Sequence, residues 1–363
     1  MNIGFYIDEM NLRGVANSTY SYALNNKNIL KNNSIIFYNK KNYRNNSEVI
    51  KKFKKKFISI GISKFKEIDL YKSKFNLNYI YTQKSGNKDC WVSNNIKTLV
   101  HAVYPQKLNQ LHGHRYAYIS EWLSVKFSNK KIPFIPYITE SKKITSNLRN
   151  RLKIKKDNLV FGCHGGESSF DMKFVQFAIL NVLKKRKDIF FLFLNIDKFC
   201  THPRIIFLKG TSDENYKKKF INSCDAMIYG RSLGESFGLA CAEFAVKCKD
   251  IISYQFNRHQ CHKFYMPKRN YLEYRSYKTL YNLLFNYVKK PKNKYFSKYQ
   301  KYTSKRAMRN FEKFFLIQKE QIKISLFDKF INFLNYLIMN YFYLRHKLYS
   351  HYFNHFYSKF LIK

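Results

Sequence analysis

The chain has 363 residues, of which 67 are Lys or Arg and 23 are Asp or Glu, so its formal net charge is +44. Hydrophobic residues make up 45% and aromatic residues 18% of the sequence, which excludes a disordered basic tail protein, because such chains are poor in aromatic residues. Twelve glycines and six prolines exclude a collagen-like or low-complexity chain. The length predicts two globular domains.

The first 140 residues alternate apolar runs with stretches rich in Lys and Asn. Residues 2–8 predict a strand and residues 16–30 a helix, joined by a loop at residues 12–15. Further strands are predicted at residues 34–38, 78–81, 98–104, 116–120 and 134–138. Strands that alternate with helical segments are typical of β-α-β units and a parallel sheet.

A polar, highly charged stretch at residues 139–158 predicts a domain boundary, after which the alternation restarts. Strands are predicted at residues 159–163, 189–195, 205–208, 226–229 and 251–254, and helices at residues 172–185, 215–223 and 239–246. We therefore expect an α/β protein with two Rossmann-like domains, residues 1–150 and 151–310, facing an interdomain cleft. An aromatic-rich helical tail would follow at residues 311–363. Ligands of such open sheets bind beyond the carboxyl ends of the strands.

The seven cysteines form no C-x-x-C pair, and their number is odd. This pattern favours neither a zinc site nor a disulfide framework, and reduced thiols are typical of the cytoplasm. The N-terminus shows no secretory signal, so a cytoplasmic location is expected.

The segment Asp225–Val246 predicts an apolar strand, a loop bounded by glycines and a helix that begins near Phe237. Glu235 lies just before the helix N-terminus, whose free N–H groups suit a phosphate or a hydroxyl. Glu243 lies eight positions later, about 12 Å further along the helix axis. Two such carboxylates can hold the two ends of an extended ligand such as a nucleotide sugar. Spacing alone is equally compatible with a helix-start acid and a solvated helix residue.

The run Glu235-Ser-Phe-Gly-Leu-Ala-Cys-Ala-Glu243 resembles the E-x7-E signature of retaining nucleotide-sugar glycosyltransferases of the glycosyltransferase-B fold, family-4 type. A looser similarity extends over residues 1–290 and includes Arg13-Gly-Val15, His101-Ala-Val-Tyr104 and residues 118–124. The resemblance implies an N-terminal acceptor domain and a C-terminal nucleotide-sugar-binding domain. It also implies a glycan, lipid-linked or protein acceptor.

The resemblance also implies residue roles. Glu235 would contact hydroxyls of the transferred sugar, and Glu243 would bind the nucleotide ribose. His101 matches a family histidine close to the reacting sugar, although a satisfied strand-end histidine is the alternative interpretation. The remaining residues of the signature that would contact the donor are Ser236, Phe237, Gly238 and Leu239, the last three through backbone N–H groups.

Three glycines outside the signature are candidates for donor contacts. Gly14 follows the first strand and would allow close approach of a ligand to the backbone, or it is a simple loop glycine. Gly162 and Gly165 lie in the corresponding turn of the second domain, where adjacent glycines can expose a nest of N–H groups to an anion.

The chain departs from the family in that same turn. Members place an Arg after the first glycine and a Lys several residues later, which neutralise the leaving diphosphate. Here Cys163 occupies the Arg position, and Asp171 lies near the Lys position. We expect Arg231, inside the signature loop, to take over this role, with Lys173 and Lys209 as alternatives.

No D-x-D motif is present to hold a divalent cation, so we expect metal-independent transfer without a cofactor other than the nucleotide-sugar substrate. Retention of anomeric configuration is implied by the resemblance alone. Cleavage of the sugar–diphosphate bond develops negative charge on the leaving phosphate, which fixed N–H groups and cations stabilise.

Two other functions stay open at this point. The basic charge favours anionic partners, including nucleic acid, although a codon bias towards Lys, Asn, Ile, Tyr and Phe also explains part of it. The aromatic residues fall inside apolar patterns and no RNA-binding signature is present, so no nucleic-acid partner is expected. The second alternative is a catalytically degenerate transferase that binds a glycan or nucleotide without turnover.

The tail at Leu326–Lys363 bears on location. It carries five basic residues against Asp328 alone, and polar residues interrupt its apolar stretch. One interpretation is a final helix whose apolar side is buried against the N-terminal domain. The other is an interfacial helix that attaches the protein peripherally to an anionic membrane surface on its cytosolic face.

Overall fold

The computed structural model describes residues 1–140, 144–289, 295–318 and 322–357. The chain divides into two compact units. Unit 1 comprises Met1–Glu140 and Lys301–Tyr336, and unit 2 comprises Ser141–Gln300 and Leu337–Lys363. The units are therefore not consecutive blocks of sequence, because the chain returns to unit 1 after residue 300 before it ends in unit 2.

Unit 1 is built on a parallel sheet of six strands in the order β3-β2-β1-β4-β5-β6. The strands are β1 Asn2–Ile7, β2 Asn33–Asn39, β3 Ser59–Ile62, β4 Tyr79–Lys84, β5 Lys97–Ala102 and β6 Arg115–Tyr118. Its helices are α1 Gly14–Asn28, α2 Ser47–Lys54, α3 Lys72–Phe75, α4 Glu121–Ser128 and α10 Ser304–Phe311. The strands are mostly buried runs of β-branched and aromatic residues, as expected where helices cover both faces of a parallel sheet.

Unit 2 repeats this topology with the strand order β14-β12-β10-β7-β8-β9. The strands are β7 Leu159–His164, β8 Ile189–Leu194, β9 Ile205–Leu208, β10 Ala226–Ile228, β12 Asp250–Tyr254 and β14 Tyr271–Tyr274. A small second sheet pairs β11 Gly234–Glu235 with β13 His259–Gln260. The helices are α5 Lys173–Lys185, α6 Glu214–Ser223, α7 Leu239–Ala245, α8 Cys261–Tyr265 and α9 Tyr277–Asn286.

The predicted fold class is confirmed: two parallel-sheet α/β domains of six strands each, followed by an aromatic-rich helix, α11, at Leu326–Tyr357. One predicted strand is wrong. Residues 134–138 form no strand beyond a single bridge from Phe134 to Tyr118, since Pro133 and Pro136 flank that residue and have no N–H to donate. Among the helices described here, none has the length and hydropathy to cross a membrane.

In each unit the sheet changes its winding direction beside a central strand. In unit 2 this switch lies between β7 and β10, because the chain builds β8 and β9 on one side of β7 and the later strands on the other. Ligands of open α/β sheets bind at the carboxyl ends of the strands that flank such a switch. The topology of unit 2 therefore points to the segments that follow His164 and Ile228.

Candidate active site

Glu243 lies in a cluster of polar and charged side chains drawn from three elements of unit 2. Its Oε1 atom is 2.6 Å from the Nζ atom of Lys217 on α6, and its Oε2 atom is 2.9 Å from Nε2 of His164 at the end of β7. Lys217 also lies 3.0 Å from Glu214. The side chain of Glu243 is 22% exposed. Glu243 is thus an ion-paired group at the switch point.

The charges in this cluster stabilise one another. Burial alone would raise the pKa of the Glu243 carboxyl, but Lys217 and His164 outweigh burial and hold that pKa well below its usual range. Burial likewise lowers the pKa of Lys217, and the carboxylates of Glu243 and Glu214 more than offset this effect, so the pKa of Lys217 lies above its ordinary value. The pair is therefore charged at neutral pH.

Glu235 forms part of β11 and is held by two residues of the preceding loop. The Tyr229 hydroxyl donates a hydrogen bond to its Oε1 atom at 2.8 Å, and Nη1 of Arg231 donates to the same oxygen at 3.3 Å. The side chains of Glu235 and Arg231 are 19% and 29% exposed, so both can be reached by a ligand. The Arg231 guanidinium carries five N–H donors in a planar group, a geometry that suits an anion.

At two positions the signature loop has a left-handed backbone, which favours glycine. Gly234 has a φ of +71°, and a Cβ atom there would lie 2.0 Å from the carbonyl oxygen of His259. Gly238 has a φ of +86° and precedes α7 as its N-cap residue. Phe237 is buried, and its carbonyl oxygen accepts a hydrogen bond of 2.6 Å from the hydroxyl of Tyr299. These constraints set the direction in which the loop enters α7.

Ser236 and Leu239 lie on either side of Phe237 and Gly238. Ser236 is buried, whereas Leu239 begins α7 and is partly exposed. The first N–H groups of any helix have no acceptor within the helix. Residues 236–238 of the signature thus lie directly before the first residue of α7, and Glu243 lies within that helix.

A network of buried polar side chains holds the backbone of the signature loop at Arg231. Nδ2 of Asn257 donates to the carbonyl oxygen of Arg231 at 2.6 Å, and the hydroxyl of Ser253 donates to Oδ1 of Asn257 at 3.1 Å. Oγ of Ser253 also lies 2.9 Å from Nε2 of His262. Burial lowers the pKa of His262 to about 3, so its imidazole is neutral. The network fixes the backbone that carries the Arg231 guanidinium.

Cys163 and Asp171 lie at the positions where the family that the signature resembles has an Arg and a Lys. Cys163 is buried in β7, and burial raises the pKa of its thiol. Asp171 accepts hydrogen bonds from the backbone N–H of Ser232 at 2.8 Å and from its hydroxyl at 2.7 Å. A thiol and a carboxylate that holds the signature loop thus stand in place of two positive charges.

Gly162 and Gly165 have roles inside the protein. A Cβ atom at Gly162 would lie 2.2 Å from Sγ of Cys224, so this glycine lets a buried side chain pack against β7. The N–H of Gly165 donates to the carbonyl oxygen of Leu194 at 3.4 Å, and its own carbonyl accepts from Asn195 at 2.6 Å. The N–H of Gly165 is therefore not left open for an anion in this structure.

His101 and Gly14 belong to unit 1. The His101 ring is fully buried, with Nδ1 2.7 Å from the hydroxyl of Tyr81 and Nε2 2.9 Å from the carbonyl oxygen of Ile135. Burial lowers the pKa of His101 to about 3. The structure thus places His101 in the core with both ring nitrogens hydrogen-bonded to the protein, which agrees with the alternative interpretation of a satisfied strand-end histidine. Gly14 is the first residue of α1.

An open cavity of about 410 Å³ lies on the same unit. It is formed where β9 ends and α6 begins, and α6 carries Lys217. Its polar lining residues are Arg151, Lys209, Thr211, Asp213 and Tyr216. Within the described ranges, no three His, Cys, Asp or Glu side chains lie together as a metal site.

Several functional candidates could not be found from the sequence. Tyr229, Lys217 and His164 partner the two glutamates from elements that lie up to 79 residues away, and no motif marks them. Asn257 is equally unmarked. Lys217 lies in a lysine-rich helix, so its residue type alone does not distinguish it from the neighbouring lysines.

Solved structures resemble the whole chain in fold. HepE of Anabaena, in complex with UDP and glucose, matches with a TM-score of 0.57 over 94% of this chain and 99% of its own, at 10% identity. A glycosyltransferase from Rickettsia africae ESF-5 matches with a TM-score of 0.53 over 94% and 98%, at 14% identity. A UDP-N-acetylglucosamine 2-epimerase matches with a TM-score of 0.54 over 90% and 99%, at 9% identity.

No family model matches the sequence, and no curated protein matches it either. At such low identity the likeness to solved structures shows the fold alone. That fold is of the glycosyltransferase-B type, with two α/β domains that each contain a six-stranded parallel sheet.

Proposed function

We propose that this chain is a cytoplasmic glycosyltransferase that moves a sugar from a nucleoside-diphosphate sugar to a glycan, lipid-linked or protein acceptor. One observation carries the proposal. Glu235 and Glu243, the two carboxylates of the E-x7-E signature, both lie in the region of the unit 2 switch point, and each is partly exposed and held by its own basic partner. The seven cysteines are all free thiols, which supports the cytoplasmic location.

In this proposal the donor nucleoside binds around Glu243 and α6. The carboxylate accepts hydrogen bonds from the ribose hydroxyls, because two oxygens with about four lone pairs retain acceptor capacity beside Lys217 and His164. The cavity of about 410 Å³ at the start of α6 is large enough for a nucleobase. Its basic rim, which includes Arg151 and Lys209, favours an anionic ligand.

The diphosphate lies at the signature loop. Arg231 supplies the positive charge that Cys163 does not, and the backbone N–H groups of Phe237, Gly238 and Leu239 supply donors. Donors that are fixed before the reaction stabilise the charge that develops on the leaving phosphate, and they do so more strongly where water is excluded. The network beneath the loop at Asn257 keeps Arg231 in position.

Glu235 contacts hydroxyls of the transferred sugar. Its bonds to Tyr229 and Arg231 orient the carboxylate and join sugar recognition to phosphate recognition through one arginine. We propose a retaining reaction that needs no divalent cation, on the strength of the signature and of the absence of a D-x-D motif. Every group assigned here to the donor lies in unit 2.

A protein that binds a nucleotide sugar without transferring it is the second candidate. Two observations favour it: the buried thiol of Cys163 and the carboxylate of Asp171 stand where the family has cations. Nucleotide-sugar epimerisation is a third outcome that the same assay detects, since one of the similar folds belongs to an epimerase.

The experiment incubates the purified full-length chain with a panel of nucleoside-diphosphate sugars, with and without a membrane-lipid and glycan extract as acceptor. Release of the nucleoside diphosphate together with a labelled acceptor supports the proposal. A changed sugar without diphosphate release identifies an epimerase, and donor binding without any product identifies the degenerate protein. Chelation of divalent cations must leave the transfer rate unchanged.

A further inference from the structure

Helix α11 exposes its apolar side, whereas an ordinary surface helix buries that side against the protein. Residues along a helix advance about 100° each, so positions three or four apart share a face. Six large apolar side chains at this spacing form what we name the outer face: Phe330, Leu334, Leu337, Tyr341, Leu344 and Leu348. They fall within about 80° of the circumference. They are between 36% and 72% exposed, although a surface helix normally turns such residues towards a core.

The opposite side of α11 contains buried polar residues. Asp328 is 1% exposed and accepts a hydrogen bond from Nδ2 of Asn129 at 3.2 Å. Asn332 is 6% exposed and donates to the carbonyl oxygens of Gln106 and Phe127 at 3.0 and 2.7 Å. Because these bonds are satisfied where they stand, rotation of the helix to bury its apolar side would leave buried polar groups unpaired.

The second half of the helix is held in the same way by specific contacts. The hydroxyl of Tyr349 accepts a hydrogen bond from the backbone N–H of Tyr277 at 2.8 Å, and its ring packs edge-on against Phe174. Phe353 is 3% exposed. Within unit 2 these contacts hold the outer face outwards, as those of Asp328 and Asn332 do within unit 1. From Phe330 to Leu348 the face is about 27 Å long along the helix axis.

The charge around the outer face indicates which kind of partner binds to it. Lys329 and Lys347 are 18 residues apart, or five full turns, so they lie on one flank of the outer face, and both are exposed. A second copy of the chain would bring another formal charge of +44 against this surface, which opposes self-association. An anionic lipid surface accepts both the apolar side chains and the flanking ammonium groups.

We propose that α11 lies in the plane of an anionic membrane surface, with its outer face in the acyl–headgroup boundary and Lys329 and Lys347 at the lipid phosphates. This attachment stands independently of the transfer reaction, because none of these residues belongs to the candidate active site. It assigns the exposed apolar side of the helix to lipid and the polar side to the protein.

The test is flotation of the full-length chain with vesicles of phosphatidylcholine alone or with about one third phosphatidylglycerol. The exposed pair of substitutions L337S/L344S is compared with N340S, an exposed polar position between them. We expect the wild type and N340S to float with anionic vesicles, and L337S/L344S to lose at least about tenfold in partitioning. The variant K329Q/K347Q should bind more weakly, and its residual binding should depend less on salt than that of the wild type.

Three results would overturn the proposal: a wild type that stays at the bottom of the gradient, an L337S/L344S variant that floats like the wild type, or equal flotation on neutral and anionic vesicles. A lipid-free dimer that L337S/L344S dissociates, without flotation of the wild type, would assign the outer face to a second copy instead. Unchanged thermal unfolding and nucleoside-diphosphate binding of L337S/L344S show that the variant is folded and separate this outcome from a failure of the proposed function.

Discussion

The two units share one sheet topology, but their candidate catalytic groups differ in exposure. In unit 2, Glu235 and Glu243 are partly exposed, and each is paired with a basic residue. In unit 1, His101 is fully buried and both ring nitrogens are hydrogen-bonded to the protein. A group can serve chemistry at a switch point only if its polar atoms are reachable, so this difference supports the proposal that the donor binds to unit 2.

Substitution of Glu235 should have the largest effect on turnover. Glu235→Gln keeps the shape but removes the charge that faces the sugar, which changes most between ground and transition state. We expect kcat to fall roughly 100- to 1000-fold, with little change in nucleoside-diphosphate affinity. Steady-state kinetics and calorimetry measure the two quantities separately.

The matched control is Glu273→Gln, which removes a partly exposed carboxylate of the same unit that pairs with Lys263. Normal turnover by Glu235→Gln, or an equal loss in both variants, would remove Glu235 from the site.

Substitution of Glu243 should act on binding. Glu243→Ala removes a charged acceptor for ribose hydroxyls, so affinity for the nucleoside diphosphate should fall by about 1.5–3 kcal/mol, or roughly 10- to 150-fold. Glu214→Gln is the control, since Glu214 touches the same Lys217 but is 46% exposed. Unchanged calorimetric affinity in Glu243→Ala would contradict the ribose assignment.

Arg231 and Cys163 test how the diphosphate is neutralised. Arg231→Ala removes the positive charge and also a partner of Glu235, and we expect kcat/KM to fall about tenfold or more. Cys163→Ala removes a buried thiol that is neutral, because burial raises its pKa, so its effect on turnover should be small. The reverse order in the same assay would mean that Arg231 does not neutralise the diphosphate.

Asn257 tests the support beneath the loop. Asn257→Ala leaves the carbonyl oxygen of Arg231 without its buried donor, which costs about 1–3 kcal/mol of stability. Because the loop then moves, KM should rise several-fold in the folded variant. Thermal unfolding and kinetics on one preparation distinguish this from a stability effect alone, in which KM stays constant.

His101 should have the smallest effect on turnover. His101→Phe keeps the ring volume and removes both hydrogen bonds, so we expect a loss of stability with turnover per folded molecule unchanged. A large loss of kcat in a folded variant would return His101 to the active site and break the contrast between the units.

The pH dependence of this residue follows from its burial, which lowers its pKa to about 3 from an ordinary value of 6.5. Below pH 6.5 the unfolded chain binds a proton that the native state does not bind. The contribution of the neutral ring to stability is therefore complete above pH 6.5 and is lost as the pH falls from there towards 3. Urea unfolding at pH 7.5 and 5.5 should show a larger decline for the wild type than for His101→Phe.

Much of the fold was predictable because local pattern determines buried parallel strands. The predicted strands Leu159–Cys163 and Ile189–Asn195 are almost wholly apolar, and each forms a strand within a residue or two of the predicted bounds. Ser59–Ile62 was missed because Ser59 and Gly61 interrupt its apolar residues and the segment around this short strand is rich in Lys.

The candidate site was predictable only where residues close in sequence share a loop. Glu235 and Glu243 were identified because they are the two ends of one contiguous signature, eight positions apart. Lys217 and Tyr229 were not, since their contacts depend on how α6 and β10 pack. The orientation of α11 was equally undetermined, because the sequence shows which residues share a face but not which face the protein covers.

The most direct test of the central claim is hydrogen–deuterium exchange of the full-length chain with each of UDP, GDP, ADP, CDP and dTDP. We predict that at least one diphosphate slows exchange in peptides that cover residues 207–217 and 229–245 and leaves the peptides of β5 in unit 1 unchanged. Protection by none of the five, or protection confined to peptides of unit 1, would contradict the assignment of the donor site to unit 2.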